Sequence, residues 1–528
     1  MWFEGHPIRE VLLPSSVSRR SVLLGGATSL AVGGVAASSL PAWAAGSGGG
    51  HPPLSSNPFT LGVASGDPWS DSVVLWTRLA LDPLADTGLG GMPDRRFPVQ
   101  WQVAKDEGFR RLVRTGTTTA EPAAAHSVHV EVGGLRPGHE YYYRFRVHGH
   151  VSPTGRTLTT PARGTSQDLT ICFASCAHFG EGYFTAYRRM AEDRPDLMLH
   201  LGDYQYEYAA KASDVRVVAG PETRTLANYR QRHAQYKSDP DLQLAHATSP
   251  WAVVWDDHET ENNWADEVPE APDPGFLDRR AAAFRAYYEN MPLRRSARPR
   301  GIDMRLYRRF RWGDLATFHM LDTRQYRDDQ ACGDGTRIDC AERLDPARTI
   351  MGAEQERWLV DGFRRSHSRW DVLGQQVFFA QRDLTAGPQQ GFSMDAWDGY
   401  RANRDRIAAA LKQTRNGVVL TGDVHRHWAA EIKENADQPD SRSVGVELVA
   451  TSVTSTGDGD ESTNSGQLAE NPHLRFFKNR RGYVRSRFTA DDLTTDFRIL
   501  PYVRTPDAPV STAASFVTED RVAALHPA

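Results

Sequence analysis

Neither charge sign dominates this sequence: 62 Lys plus Arg stand against 66 Asp plus Glu in 528 residues, a net charge of −4. That balance excludes a polycationic nucleic-acid binder, and no sequence-specific contact with nucleic acid is expected. With 44 Gly and 31 Pro, the composition is far from collagen-like or disordered chains. Beyond the N-terminus no stretch approaches the roughly 18 apolar residues that a membrane span requires, so no transmembrane anchor is expected. Cysteine is scarce, with only 4 in the chain, and each has to be placed separately. What remains is a packed chain, long enough for more than one domain.

The N-terminus carries Ser18-Arg19-Arg20-Ser21-Val22-Leu23-Leu24 ahead of an Ala/Gly-rich run that reaches Pro41. It resembles a twin-arginine signal peptide. Ala42-Trp43-Ala44 offers small residues at both ends of a cleavage site, so residues 1–44 are expected to be removed and the protein to be secreted or associated with the cell wall. In that oxidising setting Cys332 and Cys340, which enclose the short polar loop GDGTRID, are expected to form a disulfide. Cys172 and Cys176 differ. Four residues of strand would hold them roughly 13 Å apart, beyond the roughly 7 Å limit for a bridge, so both stay thiols.

Residues 45–57 read as a flexible Gly/Ser/Pro-rich linker. From 58 to 161 the runs TLGVASG, DSVVLWTRL, FPVQWQVAKD, SVHVEVGGL and EYYYRFRVHG alternate without helical period, as expected of a small all-β sandwich. Leu135-Arg136-Pro137-Gly138-His139-Glu140-Tyr141 resembles the tyrosine corner of fibronectin-like sandwiches. From Asp168 compact strands alternate with helix-like segments such as RRAAAFRAYYEN, an α/β arrangement over 168–505, with 506–528 left as a polar tail. The segments 86–95 and 456–466 read as solvated insertions.

Buried strands of such a domain end where ligand sites form. Four of them end in potential metal ligands: Cys176 with His178, Asp203 with Tyr206, Asp257 with His258, and Asp423 with His425 and His427. A lone Asp after Gly usually caps a turn; the combination Gly202-Asp203-x-x-Tyr206, Asp257-His258-Glu259 and Gly422-Asp423-x-His425 points instead to a bimetallic phosphoesterase site.

These motifs, with FASCAHF, WDDHETENNW, LDTRQYR, GQQVFF and WDGY at 397–400, resemble the PhoD-type alkaline phosphatase/phosphodiesterase family, a branch of the calcineurin-like metallophosphoesterases. The resemblance covers nearly the whole chain after the signal. It implies a catalytic β-sheet sandwich flanked by helices, and ferric iron with one or two calcium ions. Thiolate Cys176, phenolate Tyr206, carboxylate Asp203 and imidazole His425 suit Fe³⁺. Asp203 as a bridge, Asp257, Asp423 and an amide from Asn263 or Asn262, with Asn263 preferred, suit Ca²⁺. Ligand chemistry alone leaves zinc or manganese open.

The expected reaction is attack of a metal-bound hydroxide or oxide on phosphorus in small phosphate monoesters or diesters, with Asp203 bridging the cations. His258 would protonate the leaving alkoxide or hold a phosphate oxygen, and Arg324 would contact substrate or pair with a carboxylate such as Asp322. His178 is an adjacent candidate, and His427 would support His425 from the same strand face. The alternative is an iron-dependent phospholipase D acting on phosphatidylcholine-type lipids. A monomer is the default expectation.

Overall fold

The computed structural model describes residues 54–528; the twin-arginine segment 1–44 and most of the linker lie outside the described residues. Two sheets stack face to face. The larger has ten strands and contains the parallel trio Leu169–Ala174, Leu197–Leu201 and Trp251–Val254. The smaller has seven strands, with Ala316–Met320, Trp370–Gly374, Gly417–Thr421 and Ser443–Val449 parallel at its centre. Period-two alternation dictates the layering. Val418 points into the core shared with Ile171, Leu199 and Val253 of the larger sheet, whereas Val419 points to the opposite face, under the helices Gly352–Arg364 and Arg401–Leu411. The helices Thr185–Glu192, Leu226–Lys237, Pro240–Thr248 and Phe276–Asn290 place Tyr187, Tyr229, Leu242 and Phe284 in the core of the larger sheet.

The N-terminal β-sandwich is present, and Tyr141 makes the expected corner: its hydroxyl accepts the Arg136 amide at 2.9 Å. One of its layers, however, is not a sheet of its own. Val63–Gly66, Val73–Arg78 and Ser127–Val132 continue the larger catalytic sheet, with Gly66 in parallel register with Trp251. The join requires glycine, because a β-carbon on Gly66 would lie 2.5 Å from the Pro292 carbonyl oxygen. Leu112–Ala120, Phe97–Ala104, Glu140–Val147, His150–Val151 and Gly155–Leu158 form the opposing layer.

The tail expected at 506–528 is corrected by the structure. Ser511–Glu519 is a strand paired antiparallel with Asp492–Leu500, and Phe516 is buried in the core. Its alternation is carried mostly by Thr, Ala and Ser, which gives little hydrophobic signal.

Gly66→Val forces a branched side chain against backbone at the sheet junction. It is expected to destabilise the chain by about 1–3 kcal/mol, read as a lower midpoint in urea unfolding followed by tryptophan fluorescence.

Candidate metal centre

Cys176, Asp203 and Asp257 follow the carboxyl ends of the three parallel strands of the larger sheet, and Asp423 and His425 follow Gly417–Thr421 of the smaller. The sheets nearly touch here. Ser175 bridges to Ser452, and a β-carbon on Gly422 would come within 2.7 Å of that of Ser175. The backbone turns abruptly at the candidate ligands: Cys176, Asp203, Asn263, Asp423 and His425 have φ of 59°, 54°, 49°, 65° and 55°. This left-handed conformation is uncommon for non-glycine residues and concentrates at functional sites.

Two donor groups result. Atoms of Cys176, Asp203 and His425 lie within 4.8 Å of one another, and so do atoms of Asp203, Asp257 and His258. Asp203 belongs to both. The Tyr206 hydroxyl donates to Asp203 Oδ2 at 2.9 Å and lies 3.3 Å from His425 Nε2, so it joins the first group. Ser455 donates to the same hydroxyl at 2.8 Å.

The electrostatics of these groups are those of a cation site. Asp203 Oδ1 is buried without a hydrogen-bond partner. Burial raises the Asp203 carboxyl well above its usual range, with Asp257 and Asp256 adding to the rise against the pull of His258. Burial and then Asp203 push the Cys176 thiol up, and burial, Asp203 and Cys176 do the same to the Tyr206 phenol. Several acids sharing a dry volume cannot all ionise unless a positive charge joins them. Burial and the Arg481 guanidinium push His425 down to about 3, leaving the neutral imidazole that metals prefer. The residues therefore fit metal ions.

Asp423 lies outside both donor groups, and its carboxyl is raised by burial and then by Asp256 and Asp395. The Asn263 amide nitrogen donates to Asp334 Oδ2 at 2.7 Å, and that of Asn262 to Glu270 at 2.5 Å. His258 Nδ1 bonds Glu207 Oε2 at 2.8 Å. Burial opposes protonation of this ring, but Glu207, Asp257 and Asp203 outweigh it and hold the imidazole well above its usual value.

Comparison with known proteins decides the family. The model of the PhoD-like phosphatase domain matches residues 171–497, and that of the PhoD-like phosphatase N-terminal domain matches 44–161. The chain belongs to the PhoD-like phosphatase family. It is 51% identical over 478 residues to alkaline phosphatase D of Bacillus subtilis (strain 168), covering 88% of this chain and 82% of that one. A solved structure of PhoD superimposes with a TM-score of 0.88 at 50% identity, over 90% of this chain and 93% of that one. Purple acid phosphatase PPD1 from yellow lupin matches at a TM-score of 0.50 and 13% identity, over 86% of this chain and 73% of that one, which speaks for the metallophosphoesterase fold alone. The chain is thus a phosphatase, a hydrolase of phosphoric ester bonds.

Three expectations about this PhoD-like site change. Arg324 is not free for substrate: it is fully buried, its Nε donates to Asp256 at 2.6 Å, and its two terminal nitrogens grip Asp395 at 2.7 and 2.8 Å. Its guanidinium pairs with these two and, at 3.8 Å, with Asp257, whereas Asp322 accepts only its backbone amide at 3.0 Å. His427 does not share a strand face with His425, because the left-handed turns at Asp423 and His425 end one strand at Thr421 and the next begins at His427. Its nitrogens face the carbonyls of Val449 and Arg498, each at 3.3 Å. The loop starting at 456 is not merely solvated, since the Thr456 hydroxyl lies 2.9 Å from His425 Nδ1. His178 is buried against the Tyr206 ring at 4.7 Å, with neither ring nitrogen hydrogen-bonded among the described residues.

Sequence reasoning missed the second layer of carboxylates. Glu259 accepts the amides of Asp203, Tyr204 and Asp256 at 3.0, 2.6 and 2.9 Å, stapling the two loops that carry Asp203 and Asp257 together. Its place beside Asp257-His258 was a usable signal. Glu207 lies next to Tyr206 in YQYEY, whereas Asp395 sits in no motif at all.

Arg324→Ala leaves Asp256 and Asp395 buried without their main cation. It is expected to destabilise the fold by about 3–5 kcal/mol, measured by urea unfolding, and the loss persists in the absence of substrate, as a purely substrate-binding arginine would not require.

Proposed function

We propose that the chain is an exported, metal-dependent phosphoesterase that hydrolyses phosphate monoesters and diesters. In this reading Fe³⁺ is held by Cys176, Asp203, Tyr206 and His425, and one or two Ca²⁺ by Asp203, Asp257, Asn263 and Asp423. The observation that carries it is the membership of Asp203 in both donor groups, the arrangement a bridging carboxylate needs. The charge and softness of the first set favour ferric iron, and the oxygen-only second set favours calcium. Bound cations there supply charge neutralisation at the phosphoryl oxygens and lower the pKa of the attacking water.

The chain's own residues do the rest. The Glu207 carboxylate engages His258 Nδ1, so Nε2 of the protonated ring is the atom that can donate to the departing alkoxide. The tilted packing of His258 against Tyr206, with ring centroids 4.1 Å apart, limits the direction of that donation. Phosphoryl transfer asks mainly for positioning and charge neutralisation, so no protein nucleophile is required. Export to an oxidising compartment is supported by the Cys332–Cys340 disulfide, a bond that persists in such settings. Among the described residues no helix is long and apolar enough to cross a membrane. No observation favours the phospholipase D alternative.

The purified, metal-loaded chain is expected to cleave p-nitrophenyl phosphate and bis-p-nitrophenyl phosphate and to leave phosphatidylcholine intact, and Asp203→Ala is expected to reduce both activities to background with loss of bound metal by elemental analysis. Near-native turnover in that variant removes Asp203 from the site. Tyr206→Phe is expected to abolish a visible phenolate-to-iron absorption band while the protein stays folded by circular dichroism; a fully loaded but colourless parent protein refutes the iron–phenolate assignment.

A further inference from the structure

The Cys332–Cys340 disulfide closes a short loop, with the two Cα atoms 6.2 Å apart. The loop is pinned on several sides. Thr336–Ile338 pairs antiparallel with Gly391–Ser393, the Met394 amide donates to the Gly335 carbonyl at 3.0 Å, and the Cys332 amide donates to Glu342 at 2.8 Å. Arg337 Nε reaches back to the Cys332 carbonyl at 3.0 Å. At its inner side stands Asp334, with a positive φ of 64°, whose Oδ2 accepts from the Asn263 amide nitrogen at 2.7 Å.

The chemistry of that contact is selective. An ionised carboxylate only accepts hydrogen bonds, so it takes the NH₂ end of the amide and never the oxygen. The Asn263 backbone is also committed, its N–H to Asp257 Oδ2 at 2.8 Å and its carbonyl to Gln330 at 2.8 Å. The side-chain oxygen is what remains.

We propose that Asp334, held in place by the disulfide-closed loop, is a positioning residue that locks the Asn263 amide with its oxygen presented to the oxygen-rich metal subsite. This rests on the reading of Asn263 as a calcium ligand. It extends the site to a loop more than seventy residues away in the chain, |i−j| = 71 for the Asn263–Asp334 pair. It also makes calcium affinity depend on a covalent link that touches no metal.

The test uses the full chain loaded with iron, stripped of calcium with EGTA and titrated with Ca²⁺ by calorimetry. Asp334→Ala is expected to weaken calcium binding by about 10–100-fold, the range for partners that orient a ligand, with iron content and visible absorption unchanged. Asp334→Asn, which keeps an acceptor oxygen, is expected to recover most of the affinity. Asn263→Ala is expected to weaken binding at least as much as Asp334→Ala, and adding Asp334→Ala to it to cost nothing further. The paired Cys332→Ser, Cys340→Ser variant is expected to weaken calcium in the same direction.

If Asn263→Ala leaves calcium affinity unchanged, the ligand assignment itself falls. If Asn263→Ala weakens binding but Asp334→Ala does not, or if the two losses add, the positioning role is overturned while the metal reading stands. Unchanged affinity in the serine variant overturns the part played by the disulfide.

Discussion

Burying several acids in one small volume is the constraint around which this molecule is arranged. Asp203, Asp256, Asp257, Glu259 and Asp395 are buried or nearly so at the convergence of two sheets, with Cys176 and Tyr206 beside them. Their mutual repulsion in a dry setting is tolerable only if positive charge and hydrogen-bond donors are supplied from fixed positions. Arg324 supplies part of it, its fork on Asp395 and its Nε on Asp256. Three backbone amides on Glu259 supply more. The rest of the demand falls on the open oxygen of Asp203, which no protein donor meets.

That division explains the architecture around the site. The inner carboxylates and thiol stand on strand ends, where the sheets hold them rigidly, and the outer residues that orient them come from loops drawn from distant parts of the chain. Glu207 aims His258, Thr456 abuts His425, and Asp334 holds Asn263. Rigid elements carry the charges, and loops set their angles.

Much of this was legible in the sequence because strand-end motifs are local. GDYQY, DDHE and GDVH each contain a candidate ligand and its turn, so Asp203, Asp257 and Asp423 could be named without a fold. What escaped notice has a common cause. Arg324 and Asp395, like Asn263 and Asp334, meet across separations that no local pattern encodes. GVVLTGDVHRHWAA reads as one strand, which puts His427 on the face of His425; the enrichment of Asp and His at positive φ is too weak a signal to mark the turns at Asp423 and His425. Continuity of the N-terminal layer with the catalytic sheet was likewise hidden, since it depends on Gly66 finding Trp251, and the strand Ser511–Glu519 was hidden by its polar alternation.

The left-handed turns carry a further consequence. Each costs about 1–3 kcal/mol relative to relaxed backbone, and five of them, at Cys176, Asp203, Asn263, Asp423 and His425, fall on the residues proposed above to hold cations. On the proposed assignment, ion capture and chain geometry are one thermodynamic event: each ion bound offsets local distortion, and a chain emptied of its ions holds those strand-end turns under tension. Amide exchange should then be fastest at these bends in the emptied chain, while the flanking strands stay protected.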